Sequence, residues 1–146
     1  MIKVQSLARK HTEALEMEEL FDAQVSRVSG LEGDLSAHSA NGEIAVLSKE
    51  SWVKSCHETE VELPWIVAGS NLFIKGFEFL PTDIGRSLRI GEVVLEILRE
   101  NLPPSALADQ APALHESLSL GWRGGVICKV LRSGNITTGD DIHIVG

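Results

Sequence analysis

Cysteine is scarce: Cys56 and Cys128 are the only two, far apart and in no C-x-x-C or Cys/His ligand spacing. That excludes a disulfide framework and a zinc ligand set, and it gives the expectation of a reducing, cytoplasmic setting. No long apolar run occurs, either in the opening MIKVQSLARKHTE or later. Neither a signal peptide nor a membrane span is therefore expected. Runs of Lys/Arg are also missing, against a formal charge of −8, so nucleic acid and anionic membrane are not expected partners. The five histidines (His11, His38, His57, His115, His143) are scattered and offer no ligand pair, so no metal site is expected. P-loop, G-x-G-x-x-G, H-E-x-x-H and G-x-S-x-G patterns are all absent.

What remains suits one globular domain over residues 1–146. A chain of this length buries roughly two thirds of its unfolded surface without a disulfide or metal staple. The negative charge is uneven: residues 1–63 carry twelve Asp/Glu against six Lys/Arg, and residues 64–146 carry nine against seven. A small anionic ligand needs a local group of cations and N–H donors, which the less acidic second half is better placed to supply.

Most of the chain reads as short strands between glycine turns. NLFIKG alternates, with Leu72 and Ile74 on one face and Asn71, Phe73 and Lys75 on the other. RSLRIG and VVLEILRE adjoin across Gly91-Glu92 and predict a hairpin. VICKVLR and DIHIV, flanking SGNITTGD, predict a second hairpin with a longer connection. Successive period-two runs predict a mainly β fold with a few short helices, a barrel or sandwich rather than an α/β sheet. SKESWVKSCHE predicts a helix capped by Ser48 with Glu50 in its first turn. PALHESLSLG predicts another, with Pro112 at its start and Gly121 just past its end. HTEALEMEELF is compatible with helix or solvated loop, and the proline pair in ENLPPSALADQ predicts an irregular loop.

Three segments carry candidate chemistry. In GLEGDLSAH, Gly30 to His38, the glycines Gly30 and Gly33 with Asp34 make either a nest of backbone N–H groups for an anion or an ordinary turn with Asp34 on its own backbone. In WRGGVICKV, Arg123 offers a planar fork for carboxylate or phosphate, and Gly124 and Gly125 would let a ligand approach the backbone. The alternative is a helix-to-strand handover with Arg123 in water. Cys128 shares a strand face with Val126 and Val130, and reads either as a packed core thiol or as a sulfur acceptor. Ser105, in the proline loop, lacks a hydrolase context and reads as a solvated serine.

Taken in order, these pieces resemble the MOSC family, named for the carboxy-terminal domain of molybdenum cofactor sulfurase. GLEGD leads to EIAVLSKESW; LPWIVAGSNLFIKG, RSLRIGEVVLEIL and a terminal RGG…V…SG.I..GDDI follow. The match runs from about Ile2 to Val145. The resemblance implies a closed or partly open barrel of the type shared with a pyruvate-kinase accessory domain. It implies binding of the molybdenum cofactor (molybdopterin) or a related anionic ligand, or sulfur carriage on a cysteine from a cysteine desulfurase towards a molybdoenzyme. The pyridoxal-phosphate domain of the full sulfurase has no residues here to build it.

Two departures stand out. Ser105 occupies the place where the family usually has a cysteine, and a hydroxyl cannot carry a persulfide. Ala68 and Gly69 stand where the family often has arginine, which removes a phosphate fork. The expected ligand set is then Gly33, Asp34, Asn71, Arg123, Gly124 and Gly125. In it Arg123 pairs the anion, the glycine N–H groups cradle it, and Asn71 bonds the heterocycle. Cys128 is the candidate catalytic thiol of a sulfurtransferase reading, and a non-catalytic acidic docking module is the third reading. Gly139-Asp140 is expected to make the turn that closes the barrel. The ligand reading requires the Gly30–Asp34 bend to lie beside Arg123 in one shared hollow.

Overall fold

A computed structural model describes residues 1–11 and 17–146. The strands and helices follow in chain order as β1 (Ile2–Lys10), β2 (Met17–Leu20), β3 (Asp22–Ser26), β4 (Gly30–Leu31), β5 (Glu43–Ser48), α1 (Lys49–Thr59), β6 (Leu72–Lys75), β7 (Ser87–Ile90), β8 (Val93–Glu100), α2 (Ser105–Gln110), α3 (Pro112–Leu118), β9 (Val126–Arg132), β10 (Gly134–Thr137) and β11 (Asp141–Val145). Short 3-10 turns lie at Ala37–Asn41, Trp65–Ala68 and Pro81–Asp83.

Seven strands close into a barrel in the order β1-β11-β7-β8-β9-β5-β6 and back to β1. Strand β1 makes closure possible by being long. Its first residues pair with β11 (Ile2 opposite Ile142) and its last with β2 (Lys10 opposite Met17), while β6 runs along its other edge. All these pairings are antiparallel except β5 with β6, whose connection carries α1 over the outside of the barrel. Strands β10, β3 and β4 form a separate small sheet.

Period-two alternation divides the apolar side chains between two cores. Leu72 and Ile74 point into the barrel with Val4, Ile44, Val46, Leu88, Ile90, Leu95 and Ile97. Phe73 and Leu47 point outwards but are buried all the same, under Trp52, Trp65, Leu107, Leu114 and Leu118 from the helical side. Trp65 stacks on Phe73 at 4.8 Å. Each such side chain contributes roughly 1.5–3 kcal/mol by leaving water, so the outer layer holds the helices on the barrel.

The mainly β barrel with short helices and the β7–β8 hairpin are as the sequence predicts, with Leu88 opposite Leu95. Helix α1 begins where expected: Ser48 accepts from the Ser51 N–H at 3.4 Å. The predicted hairpin of VICKVLR with DIHIV does not form. Both edges of β9 are taken by β5 and β8, and β11 instead closes the barrel between β7 and β1. The intervening residues are themselves a strand, β10, paired with β3. The proline loop is not irregular throughout, because Pro104 ends the extended segment and Ser105 starts α2. Helix α3 starts at Pro112 but stops at Leu118, two residues short of the expected end before Gly121. Of the undecided HTEALEMEELF segment, Met17–Leu20 is strand and residues 12–16 lie outside the described residues. Among the described residues no helix is long and apolar enough to cross a membrane.

Candidate functional site

Asp34 anchors the bend that follows β4, and it does so from inside. Its side chain is fully buried. Oδ1 accepts from the Lys10 N–H at 2.7 Å and from the Ser36 hydroxyl at 3.1 Å, and Oδ2 accepts from the Ser39 hydroxyl. A carboxylate with this many donors organises the turn and has no face left for a ligand. Gly33 adopts φ 81°, and the space a Cβ would fill there is taken by the Arg9 guanidinium. Arg9 in turn bonds Glu18 at 3.1 Å. The cation next to the bend is thus Arg9, from β1.

Asn71 is also completely buried, just before β6. Its backbone N–H donates to Ala45 O and its carbonyl accepts from the Ala8 N–H, both at 2.9 Å. Its side chain repeats the same clamp: Nδ2 donates to Ala8 O at 3.2 Å and Oδ1 accepts from the Ala45 N–H at 3.1 Å. Direct contact between Asn71 and a ligand, expected from the sequence, is therefore excluded by burial. The group that reaches out is His38, whose Nε2 lies 2.7 Å from Asn71 Oδ1 and 3.6 Å from Asp34 Oδ2.

His38 lines a hollow of about 320 Å³ together with Lys10 and Ser36. Residues 66–69 and the segment carrying Asn101, Leu102, Pro104 and Ala106 close it. This volume is at the small end of the range for a ligand site. Ala68 and Gly69, the positions without the arginine, are part of this wall. Ser105 is exposed at the start of α2, between the two lining residues Pro104 and Ala106.

Arg123 is elsewhere. It closes on Glu58, Nη1 to Oε2 at 2.7 Å and Nη2 to Oε1 at 3.3 Å, and donates to the Ser117 hydroxyl at 3.1 Å. That contact, by hydrogen bond and then by charge, holds the Glu58 carboxyl below its ordinary range. The hollow at Arg123 is lined by α1, α3 and Leu120–Gly121 and shares no residue with the one at His38. The expectation of a single hollow joining the Gly30–Asp34 bend to Arg123 is thereby corrected. The guanidinium is instead paired with the acidic residue at the end of α1.

Gly124 and Gly125 do permit close approach, but of the chain to itself. A side chain at Gly125 would fall on the Val46 carbonyl, and one at Gly124 on the Asn101 carbonyl. Cys128 faces the barrel interior with no exposed surface, and burial pushes its thiol pKa far up. Cys128 is therefore sealed from a sulfur donor, and burial disfavours the thiolate that a relay needs. A wider hollow, about 980 Å³, is lined by Cys56, Trp52, His57 and Glu60, and by neither Arg123 nor Cys128. Cys56 is half-buried there, and desolvation raises its thiol pKa against the lowering effect of the Leu63 N–H. Asp140 takes the Thr137 N–H on Oδ2 at 2.8 Å, in the turn that leads into β11. Among the described residues no cluster of three or more His, Cys, Asp or Glu is arranged to hold a metal.

Sequence reasoning passed over Lys10 and His38. His38 carried a signal, since GDLSAH sets an aspartate and a histidine four apart, a spacing that places them together on one turn. Lys10 carried none, because its relation to the bend is made by a contact 24 residues away in sequence.

The sequence pattern of the MOSC domain matches residues 35–143. No curated protein matches the chain. Among solved structures it is similar to the YuaD protein from Bacillus subtilis, at 20% identity and a TM-score of 0.78 over 99% of this chain and 96% of that one. It is also similar to YiiM from Geobacillus stearothermophilus, at 18% identity and a TM-score of 0.75 over 100% and 76%. YiiM from Escherichia coli aligns at 16% identity and a TM-score of 0.67 over 99% and 68%.

Proposed function

This chain belongs to the MOSC domain family, and from that premise we propose that the hollow beside His38 binds an anionic ligand of the molybdenum-cofactor class. Binding, not sulfur transfer, is the activity assigned to it. The single observation that carries the reading is a histidine fixed at the wall of a hollow by two fully buried polar side chains, Asp34 and Asn71. Fixing a polar side chain costs side-chain entropy, and a network this deeply buried is expensive unless fully satisfied. Such a network beside an open hollow is suited to preorganising a ligand contact.

The donor set fits the phosphate and heterocycle of a pterin cofactor, with Lys10 as the cation and His38 as the directional polar group. It does not fit thiolate ligation, because no cysteine lines this hollow. The bound cofactor would bring its metal and its own sulfurs. The chain's share is to hold the anionic tail at Lys10, orient the ring at His38 and exclude water with the Ile66–Ala68 wall.

Calorimetric titration with a pterin monophosphate tests the reading. His38→Ala and Lys10→Ala are each expected to weaken binding tenfold or more, about 1.4 kcal/mol per decade. Arg123→Ala is expected to leave it unchanged. No binding by the unaltered protein, or a loss confined to Arg123→Ala, overturns the assignment.

A further inference from the structure

We propose that Asn71 is a positioning residue that fixes the tautomer of His38, so that Nε2 carries the proton and Nδ1 is the atom offered to the ligand. The inference rests on the binding reading above and narrows the ligand class.

The orientation of the Asn71 amide is settled by its neighbours. Ala45 presents an N–H to one end and Ala8 a carbonyl to the other. Exchanging the two ends would set NH₂ against N–H and oxygen against oxygen, losing two buried hydrogen bonds at once. The atom facing His38 is therefore Oδ1, which only accepts. At 2.7 Å from it, Nε2 must donate. Asp34 Oδ2, 3.6 Å from the same nitrogen, adds attraction for a proton at that position.

In the neutral ring, protonation at Nε2 leaves Nδ1 as an acceptor. Among the described residues Nδ1 has no hydrogen-bond partner. Nor is it among their buried unpartnered polar atoms, of which the Ser70 hydroxyl is the only case. The His38 side chain keeps 17% of its surface exposed and lines the hollow.

An acceptor beside a lysine selects a particular ligand. It favours a molecule that joins an N–H or O–H donor to an anionic group, as a pterin ring with a phosphate tail does. It offers nothing to an anion made of acceptors alone, so inorganic sulfate is expected to depend on Lys10 and not on His38.

The test uses protein labelled with ¹⁵N-histidine at pH 8, with the His38 signals assigned by their loss in His38→Gln. Long-range ¹H–¹⁵N correlation is expected to show a protonated Nε2 and an unprotonated Nδ1, and Asn71→Ser to lose that preference. A spectrum with Nδ1 protonated, or a folded Asn71→Ser with an unchanged pattern, overturns the proposal. His38→Gln separates the ligand contact from the fold. Glutamine can place its amide N–H where Nε2 was, yet has no atom at Nδ1. It is expected to keep the thermal midpoint within a few degrees while weakening pterin monophosphate tenfold or more and leaving inorganic sulfate unaffected. Equal pterin affinity in a folded His38→Gln overturns Nδ1 as the contact. If the unaltered protein binds no pterin phosphate, the binding reading fails and the ligand half of this inference with it. The spectrum then still decides the tautomer.

Discussion

Arg123 grips Glu58 through both ends of its guanidinium, at 2.7 and 3.3 Å, and so ties the loop after α3 to the end of α1. The fork that looked free in the sequence is closed by a carboxylate 65 residues earlier. Half of the Glu58 side chain remains in water, and exposed pairs of this kind stabilise little. Arg123→Ala should therefore lower the thermal midpoint only slightly, in differential scanning fluorimetry, and leave ligand affinity where it was. A collapse of affinity with unchanged stability would return Arg123 to the binding site.

The glycines after Arg123 give a sharper expectation. Gly125 sits at φ 90°, and its missing Cβ makes room for the backbone of β5 at Val46. Alanine there must adopt a left-handed backbone and also displace a strand of the barrel. The two costs together are about 3 kcal/mol or more, enough to unfold a marginal domain. Gly139→Ala, at φ 93° but with open space around it, carries only the backbone cost of about 1–2 kcal/mol. Chemical denaturation of the two variants should rank them in that order, and equal losses would contradict the account.

The contrast between these two glycines also says what was legible in the sequence. Alternation put Leu72 and Ile74 on one face of a strand, because a strand side chain has only two directions available, and the barrel makes that face the inner one. The Ser48 cap and the Gly91-Glu92 hairpin were legible for the same reason: both are settled by neighbours in sequence. Pairing across the barrel was not. β9 and β11 have compatible patterns, and only closure through β1 decides that they never meet. Asn71 entered the expected ligand set through the family resemblance. Its burial between Ala8 and Ala45 is a long-range fact that local pattern does not encode. The site was half visible, in GDLSAH; the residue that reaches the hollow was present in the quoted segment but unassigned.

Thiol chemistry should separate the two cysteines cleanly. Cys128 has no exposed surface and Cys56 is half-buried beside a wide hollow. Iodoacetamide on the native protein should add one carbamidomethyl group, at Cys56, and both only in denaturant. Because burial raises the Cys56 thiol pKa, the reaction should also run slower than with a free thiol at pH 8 and speed up as pH rises. Incubation with a cysteine desulfurase and cysteine should leave Cys128 without added sulfur. Persulfide mass on Cys128 in the folded protein would mean that the barrel opens.

Acid should loosen the barrel at its closing seam. Lys3 in β1 lies 2.7 Å from Asp141 in β11, where these strands meet. The hydrogen bond from Lys3, followed by its charge, holds the Asp141 carboxyl below its ordinary range. A depressed folded-state pKa means that the unfolded chain takes up the proton first as pH falls. The stabilisation is accordingly complete above the ordinary aspartate value of about 4 and is lost as pH drops through the lower folded value. Both side chains are about half exposed, so the effect is modest and should shrink with added salt. Thermal midpoints measured from neutral pH down to about pH 3 should fall less steeply for Asp141→Asn than for the unaltered chain. The two curves should converge at the acid end, where both carry a neutral side chain at position 141. Parallel curves over the whole range would mean that the seam owes its stability to the strand hydrogen bonds of β1 and β11 alone.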